Sequence, residues 1–600
     1  MEDRPQVAKV EELARVYHEV AERAARILSD FAKKGPQSAA LSDEIGLAKA
    51  YMELYGRMLA DPMAFATHAI NMWMDYARLW QSSLMRMLGQ KPGPVAAPSA
   101  SDFRFKGEEW TNNFLFDLIK QSYLIASSHI QQAVSDVDGL SEESQKKVAF
   151  FTRLYVEALS PSNFVMTNPQ VLRETLSTGG QNLLKGLNNL LADIEKGEGQ
   201  LRISMTDEAG FQLGKNIATT PGKVVFQTEL IQLIQYQPAT QEVYRRPLLI
   251  IPPWINKYYI LDLREKNSFI KWAVERGHSV FVVSWVNPDR RLAAKGFDDY
   301  MLDGSIAAID AVQKATGESK INLIGYCLGG TLLGCTLAYL AAKGDERVAC
   351  ATFFVSLLDF SQPGELGVFI DEEQVTNLEK KMNERGFLEG SEMASTFNLL
   401  RANDLIWSFV INNYLMGKDP FPFDLLYWNS DSTRMPAKMH SFYLRNMYIK
   451  NLLAVPGGIE LAGVPLDLSK VKLPAYFIST AEDHIAPWKT TYKGATYLGG
   501  PVRFVLGGSG HVAGIVNPPT ANKYHYWTNE ALPPTAEQWF EGAQQHPGSW
   551  WNDWQAWIEL QNGGEKVPTR VPGDRELKVI EDAPGSYAML HLGTAGTRPA

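Results

Sequence analysis

Three side chains in this sequence have the types and the placement for covalent acyl chemistry: the thiol of Cys327, the carboxylate of Asp483 and the imidazole of His511. The thiol lies within the stretch INLIGYCLGG (321–330), in which Ile321, Leu323 and Ile324 read as a short buried strand. Gly325-Tyr326-Cys327-Leu328-Gly329 then turns sharply, and TLLGCTLAYLAAKG reads as a helix stopping at Gly344. Glycines on either side of the central residue allow a tight turn that presents its side chain. Asp483 follows the strand-like run LPAYFIST (473–480), and His511 follows VRFVLGG (502–508). In the order nucleophile, acid, base, the imidazole takes the thiol proton, the carboxylate orients the imidazolium, and the thiolate attacks an acyl carbon. The backbone N–H of Leu328 is one expected donor to the resulting oxyanion. The other is expected from the loop in PPWINKYYILDL, at Trp254 or Ile255, with Ile255 the candidate carried forward.

Each residue also has a plainer reading. Cys327 could be a small core residue on a glycine-rich turn, Asp483 a solvated strand-end carboxylate, and His511 a partner for loop backbone groups. His484 is a rival imidazole, but adjacent residues in a turn generally point apart, so His511 is preferred. Cys335 and Cys350 fall in a helix and in a buried strand pattern, where packing explains them.

The elements that must position these groups begin near Leu201. Apolar runs at 246–255, 278–286, 320–326, 348–358, 473–480 and 502–508 alternate with helical stretches, as in a doubly wound, mostly parallel sheet. With the sharp turn at Cys327, this predicts an α/β-hydrolase fold over residues 201–600. The rhythm stops between 361 and about 445, where LIWSFVINNYLMGKDPFPFDLLYWNSDSTRMP predicts an inserted cap over the site. Residues 1–88 read as helical, with Trp73, Ala77, Trp80, Leu84 and Leu88 on one face. Such a stripe suits a core, a partner seam or an apolar surface. Residues 89–101, GQKPGPVAAPSAS, read as a linker, and 102–200 as the helical remainder of an N-terminal domain.

Composition narrows the function classes. Lys and Arg total 58 against 67 Asp and Glu, a net charge of -9, which argues against broad nucleic-acid binding. Three cysteines clustered at 327, 335 and 350 do not form a disulfide framework and suit a reducing compartment. MEDRPQVAKVEELARVYHEV is charged throughout without an apolar signal core, and no eighteen-residue apolar run occurs. The expectation is a cytoplasmic chain without a transmembrane segment. No histidine pairs with cysteine or acids at metal-ligand spacing, and no phosphate loop or dinucleotide fingerprint occurs. Nucleophilic chemistry without metal or cofactor is therefore expected.

Several further stretches carry a family resemblance: LSPSNFVMTNPQVL (159–172), PPWINKYYILDL (252–263), AEDHIAPW (481–488), GSGHVAGIVNPP (508–519) and GSWWNDW (548–554). Together with the Gly-x-Cys-x-Gly-Gly turn, they resemble the polyhydroxyalkanoate synthases, which polymerise 3-hydroxyacyl-CoA into storage polyester. The resemblance runs from about Asp102 to the C-terminus; the first hundred residues share only helical character. It implies that Cys327 carries the acyl chain, that Asp483 and His511 complete the triad, and that CoA is the leaving group. It also implies a class I-like enzyme for short acyl chains, a homodimer, and attachment to the growing polyester and its granule, with no nucleic-acid partner. Arg290 and Arg291 are candidates for the CoA phosphates only because they follow a predicted strand, a solvated loop being the preferred reading, and Asp262 reads as structural. A thiol suits the reaction, because thioester exchange keeps the acyl group activated where a serine ester would not. The rival readings are a Cys-dependent thioesterase or depolymerase with the same triad, and a granule-coating protein without turnover.

Overall fold

The computed structural model describes residues 46–100, 102–199 and 201–590. The first forty-five residues of the predicted helical N-terminus lie outside that range. The chain forms two compact units, one of residues up to Asp207 together with Asn398–Phe421, the other of Glu208–Phe397 and the residues from Pro422 onward.

The first unit is helical: α1 (Leu47–Ala60), α2 (Pro62–Met87), α3 (Phe114–Ser135), α4 (Glu142–Ala158) and α5 (Gln181–Lys196). Local signals start two of these helices. The Asn113 side chain accepts the N–H groups of Leu115 and Phe116, and the Ser141 hydroxyl accepts that of Ser144, with Glu142 and Glu143 in the first turn of α4. Ala50 and Leu54 of α1 are buried with Val134 and Val148 of α3 and α4. Helix α2 is tied to α3 by the Tyr76 hydroxyl bonded to the Ser122 carbonyl at 3.0 Å and by Asp75 paired with His129 at 2.9 Å, and its Leu79 is buried. The predicted stripe lies elsewhere: on α2 Trp73 is 70% exposed and Trp80 65%, and Leu88, just past its end, is 80% exposed. Residues 89–100 contain no helix or strand, but the Val95 and Ala96 N–H groups both bond the Gln121 side chain.

Asn398–Phe421, inside the stretch expected to be one cap, packs on α5 instead. Asn182 Nδ2 donates to the Leu415 carbonyl at 2.8 Å, and the Tyr414 hydroxyl to Asp193 at 2.5 Å. A Cβ on Gly186 would lie 1.8 Å from the Tyr414 carbonyl oxygen, so the close approach requires glycine there.

The second unit is built on an eleven-stranded sheet: β1 (Gly222–Gln227), β2 (Ile231–Tyr236), β3 (Leu248–Ile251), β4 (Val280–Trp285), β5 (Ile321–Tyr326), β6 (Val348–Phe354), β7 (Ala475–Thr480), β8 (Val502–Gly507), β9 (His525–Thr528), β10 (Gln544–Pro547) and β11 (Glu581–Asp582). The spatial order is β10-β9-β8-β7-β6-β5-β3-β4-β2-β1-β11. The central run from β4 to β8 is parallel, while β1, β2, β9, β10 and β11 pair antiparallel at the two edges. Strands β3, β4 and β5 are buried at every position, as expected where helices cover both faces, and this accounts for their mostly apolar sequences. The mostly parallel α/β-hydrolase sheet expected from the sequence is the one observed. The insertion that interrupts it lies between Phe354 and Ala475. Among the described residues, no helix is long and apolar enough to cross a membrane.

Candidate active site

Cys327 joins β5 to helix α6 (Leu328–Lys343) at φ 52°, ψ -117°, a conformation that side-chain-bearing residues rarely adopt. The surrounding glycines make the turn possible. A Cβ on Gly325 would stand 2.5 Å from the Gly330 Cα; one on Gly329, 2.0 Å from the Ile251 carbonyl oxygen; one on Gly330, 1.8 Å from the Ser356 hydroxyl. The turn is thus wedged between β3 and the end of β6, and the Cys327 N–H bonds the Phe354 carbonyl at 2.9 Å. Cys327 remains partly accessible. Cys335 and Cys350 are fully buried, their thiols pushed well up by desolvation, and the Cys350 thiol donates to Asn322 at 3.2 Å. Those two pack rather than react.

Asp483 lies just beyond β7 and is 7% exposed. Its oxygens divide the work. Oδ1 accepts the Ile485 and Ala486 N–H groups at 2.9 and 2.8 Å, which fixes the carboxylate, and Oδ2 lies 2.7 Å from His511 Nδ1. His511, just beyond β8, is equally buried, and its ring lies over that of Tyr326 with centroids 6.0 Å apart. Burial alone would push the imidazole down, but the charges of Asp483 and Cys327 and the hydrogen bond to Asp483 raise it to about 10. A carboxylate on one ring nitrogen favours an imidazolium, whose charge can offset the negative charge that develops on sulfur. That is the charge distribution a sulfur nucleophile needs at neutral pH.

The structure therefore brings together the three groups predicted from separate strand ends. The imidazole on Asp483 belongs to His511, not to the neighbouring His484. Leu328 opens α6, so its N–H precedes the first intrahelical bond. The loop carrying Trp254 and Ile255 borders the turn through Gly329 and is tied in place. Trp285 Nε1 donates to the Pro252 carbonyl at 2.8 Å, the Thr433 hydroxyl bonds the Trp254 carbonyl, and the Thr433 N–H meets the Ile255 carbonyl at 3.0 Å. Asp262 has a structural environment: it is buried and accepts the hydroxyls of Thr220 and Ser268 at 2.5 and 2.7 Å. Arg291 forms an exposed pair with Asp289 at 2.7 Å, beside Arg290 in a short turn of helix.

Two supports went unread in the sequence. Trp550 and Trp551 of GSWWNDW are fully buried, and their indole N–H groups donate to the Gly514 and Ile515 carbonyls, each at 2.9 Å, fastening the loop after His511. Tyr443, Tyr448 and Phe360 meet edge to face in an aromatic cluster from the insertion. Burial raises both phenols, and the Cys327 charge raises them further; Phe360 and Tyr443 belong to the buried apolar cluster against which Tyr448 and Cys327 pack.

Comparison with known proteins agrees with this architecture. A family model described as the poly-beta-hydroxybutyrate polymerase (PhaC) N-terminus matches residues 101–273, and an alpha/beta hydrolase fold model matches 247–518. The chain is 49% identical over 535 residues to the poly(3-hydroxyalkanoate) polymerase subunit PhaC of Rhizobium meliloti, covering 89% of this chain and 87% of that protein. It is 41% identical over 518 residues to the corresponding subunit of Cupriavidus necator, covering 86% of each. Among solved structures, an esterase from Exiguobacterium antarcticum matches at 13% identity and a TM-score of 0.28, over 49% of this chain and 92% of that one. The chain belongs to the poly(3-hydroxyalkanoate) polymerase family.

Proposed function

We propose that this chain polymerises 3-hydroxyacyl units from their CoA thioesters into a polyester, releasing CoA, with the growing chain carried on Cys327. The observation that carries the reading is the 2.7 Å bond from Asp483 to His511, with Cys327 presented at the strained turn between β5 and α6. In the first half-reaction the Cys327 thiolate attacks the acyl carbonyl, the C–S bond to CoA breaks, and the departing CoA thiolate takes a proton from His511. In the second, His511 takes the proton from the hydroxyl of another 3-hydroxyacyl-CoA as that oxygen attacks the acyl-Cys327 thioester; the C–S bond to Cys327 breaks, freeing its thiolate beside the protonated His511, and the extended chain, an oxoester still joined to CoA, reloads onto Cys327 by the first half-reaction. The N–H groups of Leu328 and Ile255 are the proposed donors to the tetrahedral oxyanion. The Tyr443, Tyr448 and Phe360 cluster keeps water from the thioester, which separates polymerisation from hydrolysis.

Family resemblance favours a short acyl chain, as in 3-hydroxybutyryl-CoA, and a homodimer. The exposed face of α2, with Trp73, Trp80 and Leu84, suits attachment to the polyester granule. One assay tests the reading: CoA release from 3-hydroxybutyryl-CoA, with the product examined for polymer. Release accompanied by free 3-hydroxybutyrate and no polymer would make the protein a thioesterase instead.

A further inference from the structure

The loop that supplies Ile255 holds a lysine in an unusual setting. Lys257 is 3% exposed, yet its ammonium makes no hydrogen bond to a carboxylate among the described residues. Nζ instead lies 3.1, 3.2 and 2.6 Å from the backbone carbonyl oxygens of Tyr587, Ala588 and Leu590. The three donors of the ammonium thus meet three acceptors. These carbonyls belong to the short helix α7 (Ser586–Met589) and the residue after it, where helical carbonyls lack intrahelical partners. Burial pushes the ammonium down, and the nearby Asp431 charge opposes that.

The segment that Lys257 holds is itself fixed to the sheet. Strand β11 pairs with β1, the Ile580 N–H meets the Val224 carbonyl at 2.8 Å, and the Tyr587 hydroxyl donates to the Thr228 carbonyl at 2.6 Å. Ala588 is fully buried. On its other side the loop is fixed by residues 428–433: Trp428 Nε1 donates to the Lys257 carbonyl at 2.7 Å, and Thr433 holds Trp254 and Ile255. The backbone between Trp254 and Lys257 is therefore held from two directions, and Lys257 is the tie to the C-terminal segment. Such a tie matters because an oxyanion donor works only when it already points at the position where charge will develop.

We propose that Lys257 is a positioning residue, whose buried ammonium, gripped by the carbonyls of Tyr587, Ala588 and Leu590, holds the Ile255 N–H in place for the tetrahedral oxyanion. The proposal rests on the assignment of Ile255 as an oxyanion donor. It makes residues 581–590, distant in sequence from every reacting group, a prop for the site.

The test compares two reactions at the same sulfur. Acyl transfer from 3-hydroxybutyryl-CoA forms an oxyanion; alkylation of Cys327 by iodoacetamide does not. In Lys257→Met, which removes all three donors, kcat for CoA release should fall by about tenfold to a hundredfold, less than the effect of deleting a donor outright, with KM nearly unchanged. Lys257→Gln, which keeps amide donors on a shorter side chain, should fall between that variant and the wild type. The alkylation rate of Cys327 should stay at the wild-type value in both. Alkylation slowed in parallel with acyl transfer would assign Lys257 a general structural role and overturn the proposal, as would normal acyl transfer in both variants. Replacing the residue-255 amide by an ester, through incorporation of the α-hydroxy analogue of isoleucine, separates the underlying assumption. An ester enzyme with normal acyl transfer would remove Ile255 as a donor and the proposal with it. A slowed ester enzyme beside fully active Lys257 variants would overturn the proposal alone.

Discussion

Replacing Asp483 by asparagine should divide the two half-reactions of the proposed cycle. The substitution preserves shape: Asn Oδ1 can still accept the Ile485 and Ala486 N–H groups that Asp483 accepts at 2.9 and 2.8 Å, so the turn should fold normally. The atom facing His511 Nδ1 at 2.7 Å then becomes an NH2 group. It donates where a carboxylate accepted, favouring the imidazole tautomer with its proton on the nitrogen nearer the thiol, and it removes the charge that helps raise His511 to about 10. Loading is affected modestly, because an unassisted thiol with a pKa of about 8.5 is already roughly one-tenth ionised at pH 7.5; a loss of about tenfold is expected. Elongation must deprotonate an alcohol, which is negligibly ionised at that pH, and so loses most of a general base's contribution of about 10²–10⁴-fold. Mixed with 3-hydroxybutyryl-CoA and sampled by mass spectrometry, Asp483→Asn should accumulate enzyme carrying one or a few acyl units on Cys327. An enzyme that never becomes acylated, or one that elongates at the wild-type rate, would refute the division.

The remaining expectations are briefer. Cys327→Ala should abolish CoA release, whereas Cys335→Ala and Cys350→Ala should cost about 1–2 kcal/mol of stability and little activity, as measured by denaturant unfolding and CoA release. Gly329→Ala places a Cβ 2.0 Å from the Ile251 carbonyl oxygen, so it should destabilise the protein by about 1–3 kcal/mol and reduce acylation by shifting the turn, read from the same two assays. The folded-state value of His511 lies above its unfolded value of 6.5, so its stabilising effect is complete below about 6.5 and is lost as pH rises through about 10. The stability difference between wild type and His511→Gln should accordingly shrink between those limits in denaturant titrations. The double variant Trp73→Ser/Trp80→Ser should leave soluble CoA release intact and weaken sedimentation with polyester granules, since both side chains are more than half exposed.

The nucleophile turn was legible because its requirements are local: glycines where a Cβ would strike neighbouring backbone, a strand before, a helix after. The order of thiol, carboxylate and imidazole was legible because a parallel sheet delivers the ends of successive strands to one edge. Periodicity identifies an apolar face without naming what covers it, so the α2 stripe looked equally suited to a core. Only the docking of α2 on α3 through Tyr76 and Asp75 left Trp73 and Trp80 facing solvent. The edge strands β1, β2, β9, β10 and β11 escaped detection because several are short or carry polar residues, and their pairing partners are set by tertiary contact. Composition marked residues 361–445 as one insertion, whereas the fit of Tyr414 against Gly186 and Asp193 assigns Asn398–Phe421 to the helical unit. Trp550, Trp551 and Lys257 likewise stood in recognisable motifs without a visible role. Their partners are backbone carbonyls at Gly514, Ile515 and Tyr587–Leu590, and every residue presents the same carbonyl, so no sequence pattern marks which one a folded chain will bring within reach.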